Sequence, residues 1–230
     1  MSKHIKEVQD RLLKYKSMRS SEKTPEPFGD KSLQGKPSSN LHFVVQKHRA
    51  TALHYDFRLE YCGVMASWAI PKGPTLDPAV RRLAMQTEDH PLDYRHFEGS
   101  IPKGEYGGGE VIIWDEGTYY PELEESRNDL SKTQGRTLIK RVQIKDKKEA
   151  EKVILEGLEK GEIKFYLEGK RLKGSFALVR TKGFPFVKTQ GKPSGRKNAW
   201  LLIKHRDEFV KEDYDAGDLV ASVVSERNLI

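Results

Sequence analysis

Leu53-His54-Tyr55-Asp56-Phe57-Arg58-Leu59-Glu60 alternates apolar and polar side chains without a break. That is the period of a β-strand with one face buried. Leu53, Tyr55, Phe57 and Leu59 therefore face one way, and His54, Asp56, Arg58 and Glu60 the other. Just upstream, Phe43-Val44-Val45-Gln46-Lys47-His48 reads as a second strand in which Gln46 and His48 share a face. Laid side by side, the two strands bring together two imidazoles, a carboxylate and a guanidinium. A lone strand histidine is usually structural, and an alternating polar face is usually solvated. Three potential ligands in phase with an arginine are harder to dismiss, because such a set holds a divalent metal and an anion together. Two His and one carboxylate suit Mn²⁺, Fe²⁺ or Zn²⁺ better than Ca²⁺ or Mg²⁺, which favour all-oxygen shells. Spacing does not choose among the three.

Outward from this stretch the chain continues in short apolar runs separated by turns. Val64–Ile70 reads as a third strand, closed by Pro71-Lys72-Gly73-Pro74. From Arg82 to His90, residues Arg82, Gln86, Glu88 and His90 share one parity, which would let Arg82 and His90 join a polar face. Pro91-Leu92-Asp93-Tyr94 then turns the chain. The glycine-rich segment Pro102–Gly109 precedes the strand Val111–Trp114. It lacks the helix and the Gly-Lys-Ser/Thr ending of a P-loop, so a tight turn is expected. Ile163–Leu167, Ser175–Arg180 and Ala199–Lys204 complete the strands.

Ile5, Val8, Leu12 and Tyr15 mark one amphipathic helix, and Ala150, Val153, Ile154 and Leu158 mark another over Asp146–Lys160, with Gly157 weakening its last turn. Tyr120 to Lys140 reads as charged and irregular, and Gly183 to Asn198 as a mobile basic loop. With no repeat and no helix–strand alternation, the expected fold is mainly β (α+β): a compact antiparallel β-barrel with flanking helices. One domain is expected. Residues 1–23 form a helix packed on the body, 24–40 a linker or wrapping loop, and 41–230 the barrel.

Composition narrows the class. At 230 residues the chain is long enough for a real core, and 36% hydrophobic with 33% charged residues describes a soluble globular protein. No run approaches the roughly 18 apolar residues of a membrane span, and Met1-Ser2-Lys3-His4-Ile5-Lys6 lacks the apolar segment of a secretory signal. Cys62 is the single cysteine, so an internal disulfide is excluded and a reducing cytoplasm is expected. Net charge is +7, and from Gly169 to Arg206 eleven Lys and Arg occur with no acidic residue. A long one-sign segment suggests a polyanion footprint, although a basic surface also serves solubility.

Several blocks are specific in combination: Phe43–Glu60 (FVVQKHRATALHYDFRLE), Ser67–Asp77 (SWAIPKGPTLD), Glu88–Tyr94 (EDHPLDY), Phe97–Gly109 (FEGSIPKGEYGGG), Trp114–Gly117 (WDEG), Gly169–Ala177 (GKRLKGSFA) and Trp200–Glu208 (WLLIKHRDE). Together they resemble the 3′-phosphoesterase family, a module of bacterial DNA ligase D that also occurs free-standing in bacteria and archaea. The resemblance runs from about Tyr15 to the C-terminus. It implies a Mn²⁺-dependent enzyme that removes a 3′-terminal ribonucleotide by way of a 3′-phosphate, then the phosphate, leaving a 3′-hydroxyl for ligation. The implied partners are DNA 3′ ends and a ligase with its end-joining machinery in a prokaryotic cytoplasm, with no membrane. Co²⁺ or Zn²⁺ are alternative metals.

By the same resemblance His48, His54 and Asp56 hold the metal, and Arg58 and His90 contact the scissile phosphate. Gln46, Lys72, Arg82, Tyr94, Arg19 and Glu26 complete the pocket. At the N-terminus Arg19 and Thr24-Pro25-Glu26-Pro27 match the family motif, whereas its acidic residue is replaced by Ser20. The residue chemistry agrees with in-line hydrolysis of a phosphoester. The metal polarises a phosphoryl oxygen, Arg58 offers a planar donor fork, and His90 either binds phosphate or protonates the leaving oxygen. Three other readings remain at this level: a non-haem iron oxygenase, a non-catalytic DNA-end scaffold, and a metal phosphoesterase for another ester.

Overall fold

The computed structural model describes residues 3–29, 38–127, 138–181 and 198–229. Its strands are β1 (Leu41–Arg49), β2 (Leu53–Tyr61), β3 (Val64–Ile70), β4 (Arg81–Gln86), β5 (His90–Pro91), β6 (Gly99–Ile101), β7 (Gly109–Arg127), β8 (Leu138–Gln143), β9 (Glu162–Gly169), β10 (Lys173–Arg180) and β11 (Ala199–Lys204). The helices are α1 (Lys3–Arg11), α2 (Leu13–Ser17) and α3 (Lys147–Lys160), with a short 3-10 helix at Leu92–His96.

Eight strands close an antiparallel barrel in the order β1, β2, β3, β4, β11, β10, β9, β7 and back to β1. Closure leaves these strands without a free edge. The fold is the expected one: a mainly β, single-domain barrel with flanking helices. Of the odd-numbered residues of the opening stretch, Leu53 is exposed and the other three fill the interior. Tyr55, Phe57 and Leu59 pack with Phe43, Trp68, Phe165, Phe176 and Trp200, all but fully buried.

The even-numbered residues of β2 point outward, yet most are buried too. Asp56 is 8% exposed, Arg58 2% and Glu60 5%. Cover comes from outside the barrel. The N-terminal segment and the 3-10 helix lie over this face and form a second apolar cluster of Tyr15, Tyr94, Phe97, Ile101 and Val111. Burying such a polar face is tolerable only where every group finds a partner, which shapes the site below.

Between β1 and β7 the register slips by one residue. Val45 faces Asp115 but Gln46 faces Ile113, so Trp114 is the extra residue of a β-bulge. Trp114 is fully buried and its indole N–H donates to the Leu219 carbonyl at 2.9 Å. Asp115 accepts the backbone N–H groups of Lys170, Arg171 and Leu172 at 2.9, 3.0 and 2.8 Å, pinning the β9–β10 turn to the bulge. Burial pushes its carboxyl up to about 6, against the pull of those amides.

Several local expectations are corrected. The N-terminal helix is two pieces interrupted at Leu12, with Val8, Leu12 and Tyr15 buried. Tyr120 to Lys140 is not irregular where it is described: β7 continues to Arg127 and pairs with β8, and Glu124 bridges to Arg141 at 3.5 Å and Lys164 at 2.8 Å. Its charges are cross-strand partners rather than signs of a loop. Helix α3 runs through Gly157, where a Cβ would lie 2.7 Å from the Glu162 carbonyl; the glycine allows close approach to β9. Asp146 caps this helix by accepting from the Glu149 N–H at 2.9 Å.

Residues 30–37 of the wrapping loop and 182–197 of the basic loop lie outside the described residues, and with them five charges of the basic run. Of the others, Lys204 is 2% exposed and bonded to Asp207, Arg180 lies over Trp200 at 4.7 Å, and Lys170 pairs with Glu116 at 3.0 Å.

Two substitutions test this framework by denaturant unfolding. At Gly109 (φ 149°) a Cβ would meet the Arg49 carbonyl at 2.0 Å, so Gly109→Ala costs more than about 2 kcal/mol. Asp115→Ala strands three backbone N–H groups and costs roughly 3 kcal/mol or more. Because the Asp115 carboxyl is raised in the folded state, the proton-linked part of its contribution to stability is full below about pH 4 and is lost as pH rises through about 6, while the backbone hydrogen bonds remain. The Asp115→Ala stability profile lacks that decline.

Candidate active site

His48 and His54 face each other across β1 and β2, and Gln46 faces Asp56. All four project from the barrel's outer surface, opposite Tyr55 and Phe57. One donor atom from each of His48, His54 and Asp56 lies within 4.8 Å of the others. The main chain sets the two rings. His48 Nε2 is 2.8 Å from the Gly107 carbonyl, which only accepts, so in the neutral ring Nε2 carries the proton and Nδ1 offers the lone pair, 3.5 Å from Asp56 Oδ2. His54 Nδ1 donates to the Ala52 carbonyl at 3.0 Å, leaving Nε2 bare, 3.6 Å from Asp56 Oδ1.

Burial alone would raise the Asp56 pKa, but the Arg58 guanidinium and both imidazoles hold it well below the usual carboxylate range. An ionised carboxylate and two imidazoles with donor atoms within 4.8 Å of one another fit a divalent transition metal. Carbonyl partners on the far ring nitrogens are the usual support for metal-ligating histidines.

Beside this set, Arg58 is fixed from three directions. Nε donates to Gln46 Oε1 at 2.8 Å, Nη1 to Ser67 Oγ at 2.9 Å and Nη2 to Asp56 Oδ2 at 3.1 Å. Its plane lies over the Tyr94 ring, 4.7 Å from the centroid. A guanidinium has five N–H donors, so two remain for an anion. Gln46 is itself oriented by donating to the Tyr94 and Phe97 carbonyls, both at 2.9 Å.

His90, 3% exposed, pairs with Met65 across β3 and β5 and so faces the same side as Ser67. Its Nδ1 donates to the Glu88 carbonyl at 2.9 Å, leaving Nε2 unprotonated. Burial, with Arg58 and Arg19 nearby, drives its pKa well below the ordinary value, so the ring is neutral.

The N-terminal segment completes the wall. Arg19 bonds Glu26 at 2.9 Å and Glu88 at 3.0 Å, and its Nη2 is 3.5 Å from His90 Nε2. Glu26 also accepts from Tyr94 Oη at 2.8 Å and Thr24 Oγ1 at 2.7 Å. A continuous chain of contacts therefore runs from Arg19 through Glu26 and Tyr94 to Arg58. Ser20 uses its carbonyl to accept from Lys23 and Thr24, at 3.0 and 3.2 Å.

Two residues singled out from the sequence do not join this cluster. Arg82 pairs with Leu202 and shares the inward parity of Ala84, and its Nε has no partner among the described residues. Thr87–Asp89 break the strand, so the parity counted from Arg82 to His90 is reset between β4 and β5. Lys72 is exposed in the turn after β3, beyond the Tyr55–Ile70 pair, with no bond to the cluster. Ser67, Glu88 and the Gly107 carbonyl were not assigned roles from the sequence. Ser67 carried a signal, since it shares the outward parity of Arg58's neighbour strand. The Gly107 carbonyl carries none in side-chain pattern.

A family model described as the DNA Ligase D 3′-phosphoesterase domain matches residues 46–180. The protein named multifunctional non-homologous end joining protein LigD from Pseudomonas aeruginosa is 41% identical over 223 residues, covering 95% of this chain and 22% of that protein. Its namesake from Mycolicibacterium smegmatis is 40% identical over 215 residues, covering 94% of this chain and 23% of that protein. The one from Mycobacterium bovis is 42% identical over 177 residues, covering 76% and 19%. The chain thus spans about a fifth of the length of these relatives. Matched by that model over more than half of its length, the chain belongs to the DNA ligase D 3′-phosphoesterase domain family, hydrolases that act on phosphate esters.

Proposed function

We propose that this chain heals DNA 3′ ends for end joining, as a Mn²⁺-dependent phosphoesterase. It removes a 3′-terminal ribonucleotide by way of a 3′-phosphate, then the phosphate, leaving a 3′-hydroxyl. One adjacency carries this reading: a donor set fit for a transition metal lies against a buried guanidinium with donors to spare. His48, His54 and Asp56 would hold Mn²⁺, or Co²⁺ or Zn²⁺, which would polarise a phosphoryl oxygen and lower the pKa of a bound water. Arg58 directs its two uncommitted N–H groups at the non-bridging oxygens, where negative charge builds during in-line attack. Gln46, Ser67 and Tyr94 keep that fork from swinging.

His90 is neutral in the free protein. Burial and two guanidiniums suppress its charge, and a phosphate bound beside it acts against both, raising its pKa on substrate binding. His90 is then placed to give its proton to the leaving oxygen, the 5′-oxygen of the terminal nucleoside in the first step and the 3′-oxygen in the second. Arg19 and Glu26 buttress Tyr94 and His90 and form the wall next to the terminal nucleoside. The partners of this activity are DNA 3′ ends and, at the following step, a DNA ligase of the end-joining machinery. A prokaryotic cytoplasm is the proposed setting. No described helix is long and apolar enough to cross a membrane.

A 5′-labelled primer-template bearing a 3′-terminal ribonucleotide, and another bearing a 3′-phosphate, test the proposal with Mn²⁺ on a denaturing gel. Both shift in mobility with wild-type protein, and both shifts vanish with chelator. His48→Ala loses more than about a hundredfold in rate, since even outer-shell partners of a metal are worth 10- to 100-fold. Unchanged substrates across Mn²⁺, Co²⁺ and Zn²⁺ sink the enzyme reading. Glu26→Ala, which removes the acceptor of both Arg19 and Tyr94, slows ribonucleotide removal by roughly tenfold or more. Loss of that step alone in the wild type, restored by Ser20→Asp, assigns the deficit to the N-terminal segment.

A further inference from the structure

Tyr106 stands apart from every other large aromatic of the described residues. It is 49% exposed, and the remaining exposed large hydrophobics are Leu13, Leu53, Leu83, Leu123 and Val224. Its mounting is stiff. The Glu105 N–H donates to the Pro102 carbonyl at 3.1 Å and the Gly108 N–H to the Glu105 carbonyl at 3.0 Å. A Cβ on Gly108 would meet the Pro102 carbonyl at 2.8 Å, and Gly107 holds φ at 78°. The residue after Tyr106 supplies the carbonyl that orients His48, so the ring stands at the rim of the cluster.

One face of the ring meets a cation. The Arg19 guanidinium carbon lies 4.9 Å from its centroid, and the same guanidinium lies 4.0 Å from the Tyr15 centroid. The Glu26 and Glu88 carboxylates fix Arg19, whose side chain is only 5% exposed. Tyr15, Arg19 and Tyr106 thus form a run of cation–ring contacts whose exposed end is Tyr106. The Tyr106 hydroxyl makes no hydrogen bond among the described residues, so no polar contact explains the position of the ring. Burial and the charges of Glu88 and Asp56 raise its pKa, which keeps the ring neutral.

We propose that Tyr106 is the stacking platform for the terminal nucleobase of the 3′ end whose phosphate is handled at Arg58 and the His48–His54–Asp56 cluster. This rests on the phosphoesterase reading above. A base attached to the nucleoside at the scissile phosphate lies one sugar away from the reacting atoms, and Tyr106 is the exposed ring next in sequence to Gly107, whose carbonyl holds His48. Stacking is indifferent to base identity, because every base has a π-face, and so it suits an activity on ends of any sequence. A cation on the far face of the tyrosine adds a base–aromatic–cation sandwich.

Two measurements test it. The first compares KM for 3′-phosphate ends whose terminal nucleotide carries a base or is abasic. Wild-type protein favours the base-bearing end by about tenfold, the size of one base–aromatic stack. The ratio falls to near one in Tyr106→Ala and is kept in Tyr106→Phe. The second places 2-aminopurine at the 3′ terminus and reads its fluorescence on binding, with no need of turnover. Wild-type and Tyr106→Phe quench it, and Tyr106→Ala does not. A ratio and a quench unchanged by Tyr106→Ala overturn the platform. Quenching without hydrolysis overturns the phosphoesterase reading and sustains the platform, so the two failures are distinct.

Discussion

A guanidinium that is 2% exposed on the outside of a barrel is the constraint around which this molecule is arranged. Removing such a charge from water is tolerable only if its donors are matched and a counter-charge is near. Arg58 meets both demands through Gln46, Ser67 and Asp56, and the Tyr94 ring closes over its plane. Each partner is thereby fixed. Asp56 is held ionised between Arg58 and the two imidazoles, which makes it a ligand rather than an acid. The same requirement explains why the covering segments carry Glu26 and the Tyr94 and Phe97 carbonyls over this face, rather than apolar groups alone.

Barrel closure supplies the rigidity this arrangement needs. Strand β1 is paired on both edges, to β2 and to β7, so the His48–His54 juxtaposition cannot slip without breaking two ladders. The bulge at Trp114 adds a lock of its own. It admits the indole and the Asp115 carboxylate to the buried side in succession, and Asp115 then ties the bulge to the β9–β10 turn. The site therefore rests on strands whose interior face is a packed aromatic core. The turns contribute main-chain carbonyls: Ala52 between β1 and β2 orients His54, and Gly107, in a turn stiffened by glycines and local hydrogen bonds, orients His48.

Much of this was legible residue by residue. Strand alternation separated Tyr55, Phe57 and Leu59 from His54, Asp56 and Arg58, and turn residues marked the strand ends. The same rule failed from Arg82 to His90, where the irregular Thr87–Asp89 segment reset the phase and left Arg82 facing Leu202. It also failed over Tyr120 to Arg127, where charges that looked like loop solvation are paired across strands. Both misses have one origin. Alternation counts positions along the chain, whereas breaks and cross-strand partners are set by what lies beside it.

The amino-acid sequence by itself determined which side chains share a face, because a period of two is a property of the extended backbone and needs no partner. It also determined the donor types, and so the chemistry open to them. Tertiary structure alone decided which faces meet. His90 reaches Arg58 and Ser67 because β5 pairs with β3, and Arg19 reaches His90 across 71 residues because the N-terminal segment folds over the outer face. Burial of that polar face, the fixed tautomers of His48 and His54, and the run of cation–ring contacts ending at Tyr106 follow from main-chain groups and distant residues brought close by barrel closure. Contacts of that kind are invisible to any local pattern.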